Sequence, residues 1–194
     1  MRDMIKPSLS LFVICLVTAF CLAFVNNITK EPIIQRTEMD AQEKRKQVLP
    51  QAESFEKLEG WEAQDESGII NDVYAAFSGE EFVGYVFSAA PKGFGGEIAV
   101  TVGVDSDSAV SGVRIGDNQE TPGLGSKTAD DKFTKQYIGK DISKEIKIVK
   151  RPVSADDEVQ AVSGATISTK AVTSAVQASA ELSGKLLENG GGSK

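Results

Sequence analysis

Ser163, Gly164, Ala165 and Thr166 form a run of small residues that leads into a stretch with helical spacing. A small-residue turn at a helix start presents free backbone N–H groups and the positive end of the helix dipole. Such a place suits a phosphate, and Thr166, Ser168 and Thr169 add hydroxyls beside it. Taken alone, the string reads best as an ordinary N-cap, with Ser163 or Thr166 satisfying the first turn.

A second unusual string is Glu120-Thr121-Pro122-Gly123-Leu124-Gly125-Ser126-Lys127. Pro122-Gly123 is a strong turn signal. Gly123 and Gly125, flanking Leu124, let backbone approach a flat ligand, and Lys127, Thr121 and Ser126 can meet a phosphate or carbonyl. The alternative for this string is a surface loop. It fits neither the P-loop nor the dinucleotide-binding glycine pattern. A third string, Pro91-Lys92-Gly93-Phe94-Gly95-Gly96, precedes a strand signal. On its own it reads best as a sharp turn into the sheet. The other reading clears room for a ligand, with Phe94 as an apolar wall.

Composition narrows the chemistry. The chain contains no histidine, which excludes a Ser-His-Asp triad, a Cys-His dyad and His-ligated haem. Cys15 and Cys21 both lie in the apolar N-terminal segment, so the remainder can form no disulfide and hold no Cys-ligated cluster. The formal net charge is −7, and no basic patch with interleaved aromatics occurs, which argues against a nucleic-acid partner.

The elements that must position these strings are legible in part. Residues 8–28 carry no charge and are long enough to cross a bilayer's ~30 Å hydrocarbon core. The competing reading is a cleaved signal peptide, but no good small-x-small cleavage site is present. Arg2, Lys6 and the N-terminal amine precede the segment, partly offset by Asp3; Lys30, Glu31 and Arg36 follow it. The cation bias is slight and favours a cytoplasmic N-terminus. Residues 31 to about 51 read as a charged helical stalk, started near Pro32 and ended by Pro50. Residues 72–77 and 81–88 flank Ser78-Gly79-Glu80 as a hairpin, and 97–104 with 109–115 form a second. Residues 144–150 read as a half-exposed strand and 130–137 as a short helix. From Ser168, small or apolar residues recur at Val172, Ala175, Val176, Ser179, Leu182, Ser183 and Leu186, the spacing of a C-terminal helix.

The fold class expected is therefore α+β: one N-terminal transmembrane helix, then a mixed, mainly antiparallel sheet with a C-terminal helix. The organisation expected is an anchor with its N-terminus over 1–30, a stalk over 31–60, the domain over 61–187 and a disordered tail over 188–194.

In this order and spacing, the three strings resemble the FMN-binding domain family. They are similar in particular to the G-subunit family of the Rnf ion-translocating electron transport complexes. A related domain forms the C subunit of the sodium-pumping NADH:quinone reductase. The likeness spans about residues 84–186, and the single apolar segment before it reinforces it.

The resemblance implies FMN joined by a phosphoester to Thr166, installed by a separate flavin transferase that uses FAD and a metal. No resident catalytic base is then needed. It implies cofactor contacts at Ser163, Gly164, Ala165, Ile167, Ser168, Glu120, Thr121, Gly123, Leu124, Gly125 and Lys127. It also implies an electron-relay role beside other integral-membrane and redox subunits, with the domain on the extracytoplasmic side of a bacterial or archaeal cell membrane. Two positions depart from the family pattern: Gln160 stands where an Asp read by the transferase is common, and Asn118 where His is common. The alternatives are the corresponding subunit of a sodium-pumping quinone reductase, a stand-alone flavin-binding module, and a non-redox ligand-binding ectodomain.

Overall fold

The computed structural model describes residues 2–140 and 144–188. The tail expected beyond Glu188 lies outside the described residues. The chain divides into two units, Met1–Glu43 and Lys44–Lys194.

The first unit consists of most of helix α1 (Arg2–Val48). Leu9, Phe12, Leu16, Phe20 and Phe24 are all exposed on it. Among the described residues, this is the one helix long and apolar enough to cross a membrane. The helix start expected near Pro32 is absent: α1 runs through that residue without a break. The helix stops at Val48, two residues before Pro50, whose missing N–H and ring cannot continue it.

The second unit is built on a five-stranded antiparallel meander in the order β1 (Ser54–Lys57), β2 (Ile70–Ser78), β3 (Glu81–Ala89), β4 (Ile98–Asp105), β5 (Val110–Asn118). The two expected hairpins are β2–β3 and β4–β5. Strand β1 replaces part of the expected stalk: Phe55 pairs with Ala76 at the sheet edge. Its four residues carry too little alternation to announce a strand, and the unpaired edge of β2 recruits them.

Alternation along the strands builds two cores. On one face Val73, Tyr85, Phe87, Val100 and Val102 pack with Val172, Val176 and Leu182 of helix α3 (Thr166–Glu188). On the other, Ala76 and Val86 meet Val48, Leu49 and Ala52. The α1 terminus approaches that face closely. Gly103 and Gly112 are cross-strand partners, and a Cβ on either would lie 2.5 Å or 2.7 Å from Val48 backbone. The Arg45 guanidinium lies 4.1 Å over the Tyr74 ring and adds a cation–π contact.

Between β5 and α3 the chain is irregular and short-ranged. A 3₁₀ turn covers Gly125–Ala129, α2 is Asp131–Thr134, and a further 3₁₀ turn covers Lys135–Tyr137. The single short helix expected over 130–137 is thus split. Tyr137 is fully buried and its hydroxyl meets Thr173 Oγ1 at 2.8 Å, tying this region to α3. The strand expected over 144–150 is only β6 (Lys147–Val149), and it pairs in parallel with β7 (Glu158–Gln160), a strand with no counterpart in the sequence reading.

The β6–β7 loop is pinned by one carboxylate. Glu158 accepts from both Arg151 Nη atoms, and from the Ser154 N–H and hydroxyl at 3.0 and 3.1 Å. The Arg151 guanidinium, with those Ser154 donors, lowers the Glu158 carboxyl from 4.5 to about 2. A folded-state value below the unfolded one stabilises the fold above the unfolded value and ceases to do so as pH falls through the folded one. The stability difference between wild type and Glu158→Gln is therefore expected to be widest near neutrality and to close between about pH 4.5 and about pH 2. Melting temperatures across that range check it; a constant difference would show that ionisation of Glu158 contributes nothing.

Candidate functional site

Thr166 is the first residue of α3, a 23-residue helix. The turn before it is closed by the Ala165 N–H donating to the Val162 carbonyl at 3.0 Å, with Gly164 at φ +78°. The first-turn N–H groups have no carbonyl one turn earlier within the helix, so Thr166, Ile167 and Ser168 stand at a donor-rich end. Thr169 locks the turn from inside: its hydroxyl donates to the Ala165 carbonyl and accepts from the Val162 N–H, at 2.9 and 3.1 Å.

The second string folds as a tight turn. The Thr121 carbonyl accepts from the N–H groups of Leu124 and Ser126, and Ser126 Oγ accepts from the Gly123 N–H. Gly123 has φ +77°, the left-handed region a Pro-Gly turn demands. A Cβ on Gly123 would meet no protein atom within 4 Å, whereas Gly125 is closely packed. A Cβ there would lie 2.1 Å from Glu120 Oε2 and 2.8 Å from Ser168 Oγ.

A cavity of about 390 Å³ gathers all three strings, lined by Phe94, Glu120, Thr121, Leu124 and Gly125 together with residues 164–168. Phe94, Leu124 and Ile167 give it an exposed apolar rim. The third string is therefore more than a turn into the sheet, and the aromatic between its glycines is the signal for that.

Three residues expected at the cofactor do not line this cavity. Ser163 and Lys127 line a neighbouring groove with Phe133, Val153 and Gln160, and Gly123 lines neither cavity. Gln160 is held by its backbone: its N–H donates to Gln136 Oε1 at 2.8 Å, and its carbonyl accepts from Gln136 Nε2. Asn118 secures the second string's start, since its Oδ1 accepts from the Glu120 N–H at 3.2 Å.

The FMN-binding domain family matches residues 93–181, the stretch that builds this cavity. The G subunit of the Na(+)-translocating ferredoxin:NAD(+) oxidoreductase complex from Acetobacterium woodii is 34% identical over 91% of this chain and 90% of its own length. This chain belongs to that family of G subunits. The counterpart from Clostridium ljungdahlii, the G subunit of a proton-translocating ferredoxin:NAD(+) oxidoreductase complex, is 33% identical over 89% of this chain and 87% of its own. Among solved structures, the C subunit of the Na(+)-translocating NADH-quinone reductase from Parabacteroides distasonis aligns with a TM-score of 0.51 at 29% identity, over 60% of this chain and 62% of that one. NqrC of Shewanella oneidensis shares the fold at TM-score 0.51 and 19% identity, over 73% of this chain and 74% of its own.

The residues present fit FMN, the group this domain family binds. The rim of Phe94, Leu124 and Ile167 suits a flat, largely apolar ring, and the donor-rich start of α3 suits a phosphate.

Proposed function

We propose that this G subunit carries FMN covalently, through a phosphoester at Thr166, and relays electrons within an Rnf-type ion-translocating ferredoxin:NAD oxidoreductase. The observation that carries this reading is the position of Thr166. It opens α3 on the wall of the cavity to which all three strings contribute. Bound FMN supplies the electron transfer; the chain holds, orients and shields it. Phe94, Leu124 and Ile167 offer the ring an apolar seat, and the first-turn amides offer the phosphate donors. In this reading a separate flavin transferase, implied by the resemblance, makes the attachment, and the absence of histidine agrees with a threonine that needs no resident base.

Matches to G subunits over nine-tenths of the chain favour this assignment over the quinone-reductase subunit, whose solved relatives align over 60% and 73%. The long apolar helix supports placement beside integral-membrane partners. Intact mass of the chain purified from its native membrane tests the attachment: one FMN, less the elements of water, is expected. An unmodified mass refutes it.

The slight excess of cations before residues 8–28, together with the resemblance, supports an extracytoplasmic domain. Ser193→Cys in a Cys15→Ala, Cys21→Ala background is expected to react with a membrane-impermeant maleimide in intact protoplasts. Labelling only after lysis would place the domain in the cytoplasm.

A further inference from the structure

The three strings converge on one carboxylate. Glu120 is only 6% exposed and accepts the Phe94 N–H at 2.8 Å, the Gly95 N–H at 3.1 Å and the Ser168 hydroxyl at 2.7 Å. Burial alone would push its carboxyl up, but the donors from Ser168, Gly95 and Phe94 outweigh it, and the net shift is downward. None of these three partners is a cation. The glycines around it are shaped to the same group. A Cβ on Gly93 would fall 2.2 Å from Glu120 Oε1, and one on Gly125 would fall 2.1 Å from Oε2. Glu120 also lines the cavity that ends at Thr166.

We infer that Glu120 is a positioning residue: it clasps the Gly-Phe-Gly-Gly and Thr-Pro-Gly-Leu-Gly segments to the start of α3, and its fixed negative charge at the cavity wall opposes reduction of the flavin held there. This rests on the FMN reading above. Two electrons and one proton leave the isoalloxazine with one net negative charge. A nearby carboxylate held only by neutral donors keeps its charge and disfavours that one, and a buried charge is screened far less than an exposed one. The clasp and the charge are separable, because glutamine keeps the shape of glutamate without its charge, whereas aspartate keeps the charge without its reach.

The test is a potentiometric titration of the full-length chain in detergent, with dithionite as reductant, followed by flavin absorbance. In Glu120→Gln, the amide oxygen still accepts from the two N–H groups and the amide N–H₂ donates to Ser168 Oγ. Its flavin is expected to reduce with an equilibrium constant at least tenfold larger, a two-electron potential about 30 mV more positive. Glu120→Asp is expected to load less flavin but to stay within threefold of the wild-type constant. Glu120→Ala, with room for water between the three donors, is a second neutral variant should Glu120→Gln not accumulate. A constant within threefold of wild type in whichever neutral variant carries flavin overturns the inference. Failure of both neutral variants to carry flavin, with Glu120→Asp loaded, overturns it, because the charge would then be needed to hold the flavin. A wild-type chain without flavin refutes the FMN reading and takes this inference with it, whereas loaded wild type and loaded Glu120→Gln of equal potential refute the inference alone.

Discussion

Thr166→Val is expected to abolish covalent flavin while leaving the fold unchanged. Valine matches threonine in shape and β-branching, and the first helical position asks nothing of the hydroxyl for helix geometry. What is lost is the oxygen at which a phosphoester forms. The neighbouring hydroxyls on the helix are committed: Ser168 Oγ donates to Glu120 at 2.7 Å, and Thr169 Oγ1 both donates to Ala165 and accepts from Val162. Neither is free to substitute. Fluorescence of the denatured protein in a gel reads the covalent bond directly, because dissociable FMN runs away from the chain. Complete loss in Thr166→Val, with retention in Thr166→Ser, is the expected pair. Undiminished fluorescence in the valine variant would move the attachment, with Ser163, exposed three residues earlier, the first alternative.

Gly125→Ala is expected to have the second-largest effect, far larger than Gly123→Ala. The methyl group at 125 would overlap the Glu120 carboxylate and press on Ser168 Oγ. Overpacking of this kind costs about 1–3 kcal/mol, and displacing the carboxylate forfeits a charge-assisted hydrogen bond worth about 1.5–3 kcal/mol. The cavity wall would separate from α3, so flavin loading and melting temperature are expected to fall together. At 123 the methyl meets nothing within 4 Å, and only left-handed backbone strain of about 1–2 kcal/mol remains. Equal losses in the two variants would show that the loop's turn, not its packing on Glu120, holds the site.

Much of the fold is legible because its signals are local. The apolar run, the two hairpins and the periodic C-terminal helix each declare themselves within about twenty residues. The places where reading fails share a cause. Strand β1 and the parallel pair β6–β7 are four and three residues long, too short for alternation to register, and they exist because a neighbour's edge pairs with them. Pro32 reads as a helix start, since proline favours the first turn, but α1 is already under way there and runs through it.

The sequence by itself marked three strings as candidates: small residues and glycines restrict what backbone can do at a position, whatever surrounds it, and the order and spacing of the strings carried the resemblance. It also excluded histidine-based catalysis, since the chain has no histidine, and argued against a nucleic-acid partner, since its cations do not cluster. Tertiary structure alone decided that the strings line one cavity, and which members face it. Glu120 and Ser168 are 48 residues apart, and Phe94 reaches Glu120 across 26. Contacts at that separation leave no period in the chain. They arise only when the sheet carries β4 and β5 past α3, and one carboxylate finds its three donors there. The same packing sends Ser163 and Lys127 to the neighbouring groove, since side chains adjacent in sequence leave a turn in different directions.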